Sequence, residues 1–487
     1  MGDVEKPADI TQVVSKETVS SGEQPFIDPA AERRLLWKLD YRIVPILWLL
    51  FLLAFLDRSN IGNAKIQGLT KDLNMKGNDY NIALFIFFPP YIIFEVPANL
   101  VLRKMAPSTW LSAIMVGWGI CTVGQGLVNN LAGLASLRFL IGIFEAGLFP
   151  GCIYLISMYY KRYETQWRFS VFFSAGIIAP AFGGLFAYAI AKMEGLGGYS
   201  GWRWIFIIEG LITIIIGVAS KWLIVDWPEK ATFLTEEERR ILLARIQADT
   251  GDARMDRLDR RSAKRIFTDW KIYCGILMYI TVVNTSYSTA FFTPSIIKDM
   301  GYTSSAAQIR SIPPWIVAFV VSLGTALVTD RLRHRYSFTI FGLMLCIIGY
   351  GILLVPYGST SVGVKYTALF FVITGCMTAQ PIIVAWLSNC ASGHYKRAVT
   401  SAAVVGFGNC GGLIASNVFF EKEAPAYRTG YRVNTTLICL CLVFCTAMFI
   451  GVRWENRKRD RGERDYRLQK EDADNLGDDH PSWRLSH

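Results

Sequence analysis

The sequence predicts an all-α membrane protein with 12 transmembrane helices in two six-helix halves. Three observations carry that expectation. The chain has 487 residues and is 52% hydrophobic, too apolar for a soluble protein of this length. Its apolar residues fall in blocks of about 20, the length that crosses a bilayer as helix. One charged segment, 226–270, separates six blocks from six.

The blocks are 43–64, 81–102, 109–128, 131–158, 168–191, 203–224, 271–293, 309–329, 337–356, 366–387, 398–420 and 431–452. Residues 1–40 read as a disordered cytoplasmic tail. The first 31 are polar and lack the apolar core of a cleavable signal, so the first block acts as an uncleaved signal anchor. Blocks such as "FFPPYIIFEVPA" and "IIAPAFGGLF" contain Pro and Gly, which spanning helices tolerate because neighbouring helices satisfy the freed backbone groups. Residues 41–225 form the N-terminal half. The linker 226–270 has Thr235 followed by Glu238, a capping-box spacing, and then an amphipathic run "EEERRILLARI". Residues 271–452 form the C-terminal half, and 453–487 a second cytoplasmic tail. Such an arrangement places a substrate site between the halves near the midplane. The halves echo each other weakly, in "LRKMAP" after the second block and "TDRLRHR" after the eighth.

The net charge of +11 points to the membrane surface and not to nucleic acid. The basic residues sit beside block ends, in "AERRLLWKLDYR", "KRYETQWR", "RLRHR" and "RWENRKRDRGER". An even number of spans puts all four on one side, so both termini face the cytoplasm. Lys65, Lys71 and Lys76 lie on the opposite side, so the tails and linker decide the orientation. Ten cysteines lie almost wholly within blocks and read as small buried hydrophobes. His334, His394, His480 and His487 are too scattered for a metal cluster. No metal and no cofactor is expected.

Charges inside spans are costly and mark function. The first half holds Asp57, Arg58, Glu95, Arg138, Glu145 and Glu209; the second offers neutral Asn284, Tyr287, Gln380, Asn409 and Asn417. At 1.5 Å per residue, Asp57 lies roughly 21 Å above the inner face and Arg138 roughly 10 Å below the outer face, the same level in a core of roughly 30 Å. Arg138 and Glu145 are two helical turns apart and share a face. The expectation is a ladder of Asp57 and Arg58 against Arg138, with Glu145 about 10 Å deeper. Either these charges merely lock helix to helix, or a carboxylate changes protonation while an arginine meets an anion. Glu95 and Glu209 read as structural, Glu209 six residues from Arg203. Asp330, Arg331 and Arg335 in "DRLRHR" read as a gating latch, or as a solvated charge run. Gly406, Gly408 and Gly411 spell GxGxxG, but inside an apolar span with no preceding strand they signal close helix packing. The sequons at Asn284 and Asn434 lie in or too near a span for use.

The chain resembles the major facilitator superfamily, and within it the anion:cation symporters and their fungal allantoate, nicotinate and pantothenate permease branch. The resemblance rests on "LDRSNIGNAKI", "RFLIGIFEAGLFPG", "YYKRYETQWR", "GWRWIFIIEG", "DWPEKATFLTEEE", "TDRLRHR" and "AWLSNCASGHYKR" through "GNCGGLIASNVF", spread from about 40 to 450. It implies alternating access of two halves about a central cavity. It also implies proton-coupling roles for Asp57 and Glu145, and substrate or coupling roles for Arg58 and Arg138. Asn409 falls where a polar contact in span eleven is expected; Asn284, Tyr287 and Gln380 are assigned to the substrate by position. The loop after span two departs from the family's Gly–Asp–Arg pattern, with Asn99, Arg103 and Lys104 instead.

The expected function is proton-coupled uptake of a small organic carboxylate across a fungal plasma membrane by a monomeric, non-enzymatic transporter. Two alternatives share the fold: proton-driven efflux of a carboxylated secondary metabolite, and a nutrient sensor that does not transport.

Overall fold

The computed structural model describes residues 29–102, 104–248, 260–332, 334–356, 358–392, 394–469 and 476–486. Among them the regular structure is helical. The first half comprises span one (Pro29–Ile66), span two (Asp79–Leu102), span three (Pro107–Leu127), span four (Leu131–Tyr159), span five (Arg162–Ile190) and span six (Gly201–Leu223). The second comprises span seven (Trp270–Asp299), span eight (Ser304–Leu332), span nine (Arg335–Leu354), span ten (Val362–Cys390), span eleven (His394–Gly408 with Cys410–Ala415) and span twelve (Arg428–Asp460). We call the side bearing residues 29 and 460 the terminal face, and the other the far face.

Three spans break near the middle, each for a visible reason. Span two breaks at Ile86–Phe87, where Pro89 and Pro90 remove the donors that Phe85 and Ile86 would need. Span four breaks at Ala146–Gly147, four residues before Pro150. Span eleven breaks at Asn409, among Gly408, Gly411 and Gly412.

Spans one and seven are the central elements. Residues 281–297 of span seven are buried without exception, as are 56–64 of span one. Span seven is polar for a spanning helix, with Thr281, Asn284, Thr285, Ser286, Ser288, Thr289 and Thr293 in succession. It is enclosed by protein, so these groups do not meet hydrocarbon. Ile93, Ile215, Val320, Ile348 and Ile450 are exposed on the periphery, as lipid-facing residues should be.

The halves meet toward the far face. Lys298 Nζ and Ser304 Oγ donate to the Ile66 carbonyl at 3.1 and 2.8 Å. Asn81 Nδ2 donates to the Phe419 carbonyl at 3.1 Å. At Gly62 a Cβ would lie 2.6 Å from the Phe291 carbonyl oxygen, so only glycine permits this approach.

Each half has its own brace at the terminal face. In the first, the linker helix Glu236–Ala248 starts with reciprocal hydrogen bonds: Glu238 N to Thr235 Oγ1 (3.2 Å) and Thr235 N to Glu238 Oε2 (2.9 Å). Its Arg245, fully buried, bonds Glu32 and Glu164, each at 2.6 Å. In the second, the tail returns: Asp478, wholly buried, lies 2.7 Å from Lys271 Nζ and 2.8 Å from Lys396 Nζ. Asp269 lies 2.6 Å from Lys396 and completes a neutral quartet. Burial works to raise the Asp478 carboxyl, but the ammonium groups of Lys271 and Lys396 outweigh it and hold it at about 2. Trp386 Nε1 of span ten donates to the Ser486 carbonyl at 2.9 Å, and Arg459 Nη1 of span twelve to the Trp483 carbonyl at 2.7 Å.

Candidate functional site: a sealed ion pair between the halves

Asp57 and Arg58 are adjacent, so their side chains leave span one about 100° apart and enter different surroundings. Arg58 points between the halves. Its guanidinium donates one hydrogen bond to Glu145 Oε1 of span four and another to the Tyr287 hydroxyl of span seven. The side chains of Arg58 and Glu145 are 5% and 4% exposed, so the pair is sealed from water. Four rings surround the guanidinium: Phe87 at 4.8 Å, Tyr91 at 5.1 Å, Phe55 at 5.3 Å and Tyr287 at 5.4 Å. Their π faces attract the cation. Tyr287 donates onward to Asn409 Oδ1 at 3.3 Å, and Asn409 Nδ2 donates to the Val405 carbonyl at 3.0 Å. Glu95 of span two lies within hydrogen-bonding reach of Asn409. The site therefore joins spans one, two and four of one half to seven and eleven of the other.

The expected ladder is rearranged. Arg58 reaches Glu145, which helical arithmetic placed about 10 Å deeper, and does not face Arg138. Side chains lean toward the N-terminus of their own helix. Spans one and four run in opposite directions, so Arg58 and Glu145 lean toward each other and close the gap. Arg138 is 2% exposed, stands 5.8 Å from the Phe87 ring, and has neither Nε nor Nη2 bonded among the described residues.

Asp57 turns away from the space between the halves. Its Oδ2 accepts from Trp118 Nε1 of span three at 2.9 Å and from Thr213 Oγ1 of span six at 3.0 Å. Asn284 also faces outward and donates to Asn434 of span twelve. Gln380 Nε2 donates to the Tyr279 hydroxyl at 3.4 Å, while its Oε1 is unbonded among the described residues. The expected pairing of Glu209 with Arg203 is absent: Arg203 donates to the Gly126 and Val128 carbonyls at 3.0 and 2.6 Å and to Asn129 at 3.2 Å. Asn417 is exposed and donates to the Leu413 carbonyl at 2.9 Å. Of the three gating residues, Arg335 is buried and donates to the Ala385 carbonyl at 2.8 Å, and Arg331 is exposed. The Asp330 side chain lies outside the described residues, as does Arg103.

The glycine run of span eleven is a packing seam. A Cβ on Gly408 would lie 2.1 Å from Tyr279 Cδ1, and one on Gly411 would lie 2.4 Å from the Ile280 carbonyl oxygen. Among the described residues, no three His, Cys, Asp or Glu groups are placed to hold a metal ion. Sequence reasoning missed Phe55, Phe87 and Tyr91, the walls around Arg58. The signal was there: Phe55 is three residues from Arg58, and Phe87 and Tyr91 are four apart, so each pair shares a helix face.

The family profile of the Major Facilitator Superfamily matches residues 47–416. An uncharacterized transporter of Schizosaccharomyces pombe is 34% identical over 453 residues, covering 92% of this chain and 90% of its own. The major facilitator-type transporter hxnP of Emericella nidulans is 33% identical, covering 94% of each chain. In fold, the chain is similar to a D-xylose-proton symporter, with TM-score 0.65, 15% identity and coverage of 83% of this chain and 97% of that one. It is also similar to a bacterial homologue of the human lysosomal transporter Spinster in its inward-facing, occupied form, with TM-score 0.61, 16% identity and coverage of 87% and 97%. Profile, relatives and architecture agree: the chain belongs to the Major Facilitator Superfamily, as a multi-pass membrane transporter.

Proposed function

We propose that the protein is a proton-coupled importer of a small organic carboxylate, in the anion:cation symporter branch. The terminal face is cytoplasmic and the membrane is the plasma membrane. One observation supports this reading above the others: a single arginine, walled by aromatic rings, is neutralised by a single carboxylate on the axis between the halves. An incoming carboxylate offers Arg58 a second acceptor. When the guanidinium turns to the substrate, Glu145 loses its partner in a low-dielectric site and takes up a proton. The loaded site then holds Arg58 with an anion and a neutral Glu145, so its net charge is unchanged and the halves can rock. Tyr287 and Asn409 report occupancy to the second half, because Tyr287 bonds both Arg58 and Asn409.

One proton with one monovalent anion moves no net charge, so the pH gradient alone drives it, about 1.4 kcal/mol per unit. A second proton adds about 2.3 kcal/mol per 100 mV. The test is uptake of labelled nicotinate, pantothenate and allantoate into proteoliposomes at acid outside pH, with Arg58→Ala and Glu145→Gln alongside. The expected result is pH-driven accumulation of at least one, abolished by both substitutions, with Glu145→Gln retaining exchange of substrate for substrate. Normal accumulation by Glu145→Gln would refute the assignment.

A further inference from the structure

The first half contains a second acidic site that the exchange at Arg58 does not use. Glu209 of span six is 3% exposed, and neither of its carboxyl oxygens has a hydrogen-bond partner among the described residues. Asp57 is 6% exposed, and its Oδ1 is likewise unbonded among the described residues. Glu209 and Thr213 are one turn apart on span six, and Thr213 bonds Asp57. On span three, Trp118, Thr122 and Gln125 share one face, and Trp118 also bonds Asp57. Thr122 Oγ1 and Gln125 Oε1, each on a residue 1% exposed, have no partner among the described residues and continue the stripe toward the far face. The helices meet closely here, a Cβ on Gly210 falling 2.6 Å from Val123 N.

The other charges around Asp57 do not neutralise it. Arg58, on the same helix, is committed to Glu145 and Tyr287. Span four contributes Glu145, a like charge. Arg203, further out on span six, is spent on the carbonyls at the end of span three. Two carboxylates without a cation cannot both be ionised in a low-dielectric interior. One proton over the two carboxyls leaves a single negative charge, which Trp118 and Thr213 bond at Asp57.

We propose that Glu209 and Asp57 hold one proton between them, forming a proton station inside the first half with Thr122 and Gln125 on its far-face side. The station rests on the proton-coupled reading, and makes Glu209 a residue of the proton route without contact to substrate. A proton entering from the far face exchanges with the shared one, and the pair returns to one proton over two carboxyls.

The test needs no substrate. Infrared difference spectra of the full chain in liposomes, in H2O against D2O at neutral pH, isolate the C=O stretch of protonated carboxyls. The expected result is such a band in the wild type, lost in Glu209→Gln and shifted in frequency in Asp57→Asn. A band that persists unchanged in both variants, or a wild type without one, overturns the station. If Glu209→Gln does not fold, Asp57→Asn decides alone: an unshifted band overturns the pairing. Nicotinate, pantothenate and allantoate uptake separates the two ideas. Wild-type protein that shows the band but no pH-driven uptake refutes the coupling reading, while pH-driven uptake without the band refutes only the station.

Discussion

Removing both members of the Arg58–Glu145 pair should harm stability less than removing one. The pair is 5% and 4% exposed, and taking away one partner of a buried ion pair costs about 3–5 kcal/mol, because the remaining charge is left uncompensated. Glu145→Gln keeps the shape but supplies no negative charge, although the four rings at 4.8–5.4 Å still attract Arg58. At about 0.5–1 kcal/mol or more for each cation–π contact, the rings retain part of the loss, so the expected cost is nearer 3 kcal/mol. Arg58→Met leaves Glu145 without a partner in a low-dielectric site, where it must take up a proton or remain a bare anion, and about 3–5 kcal/mol is expected. The double substitution places a thioether among Phe55, Phe87 and Tyr91 and leaves no charge; its cost should fall to about 1 kcal/mol or less. A double-mutant cycle on thermal unfolding of purified protein in detergent, read as rank order of midpoints at one scan rate, measures the coupling. The double variant should unfold near the wild type and above both single variants, yet accumulate no substrate. If the two losses simply add, the contact is not an energetic unit and the exchange of partners at Arg58 lacks its physical basis.

Three further outcomes are expected. Tyr287→Phe removes a charge-assisted hydrogen bond and the link to Asn409, worth about 1.5–3 kcal/mol; substrate affinity in direct binding should fall about 10–100-fold with the fold intact, and an unchanged affinity would remove Tyr287 from the site. The Asp478 carboxyl is held at about 2, below its ordinary value near 3.9. Its contribution to tail docking is therefore full above about 4 and is lost as pH falls toward 2. Limited proteolysis should find residues 476–486 protected from pH 5 to 8 in the wild type and cleaved readily in Asp478→Asn. In the glycine seam, Gly411→Ala puts a methyl 2.4 Å from a backbone oxygen and should cost about 1–3 kcal/mol. Gly351→Ala, with nothing within 4 Å, should gain up to about 1 kcal/mol, both read by thermal midpoint.

Much of the architecture is legible because bilayer thickness imposes a length on every span. The twelve blocks correspond to the twelve spans, and the linker helix begins at the Thr235–Glu238 box. Span one extends back to Pro29 because the stretch before the apolar block is amphipathic, with Leu35 and Leu39 buried. Site details were harder to read for a geometric reason. Linear depth treats a residue as a point on an axis, whereas Arg58 and Glu145 extend along it in converging directions. It also ignores azimuth, which sends Asp57 to Trp118 and Thr213 while its neighbour enters the central space. Asn284 and Gln380 illustrate the same limit, because a buried polar residue on a central span can serve a neighbouring helix as readily as a cavity.

The two braces at the terminal face have a mechanical consequence. The linker helix staples its own half through Arg245, and the returning tail staples the other through Asp478. Among the described residues neither brace ties one half to the other, so both stiffen the blocks without opposing their relative rotation. A transporter built this way can spend the free energy of its cargo on turning two rigid pieces, with little lost to bending within either.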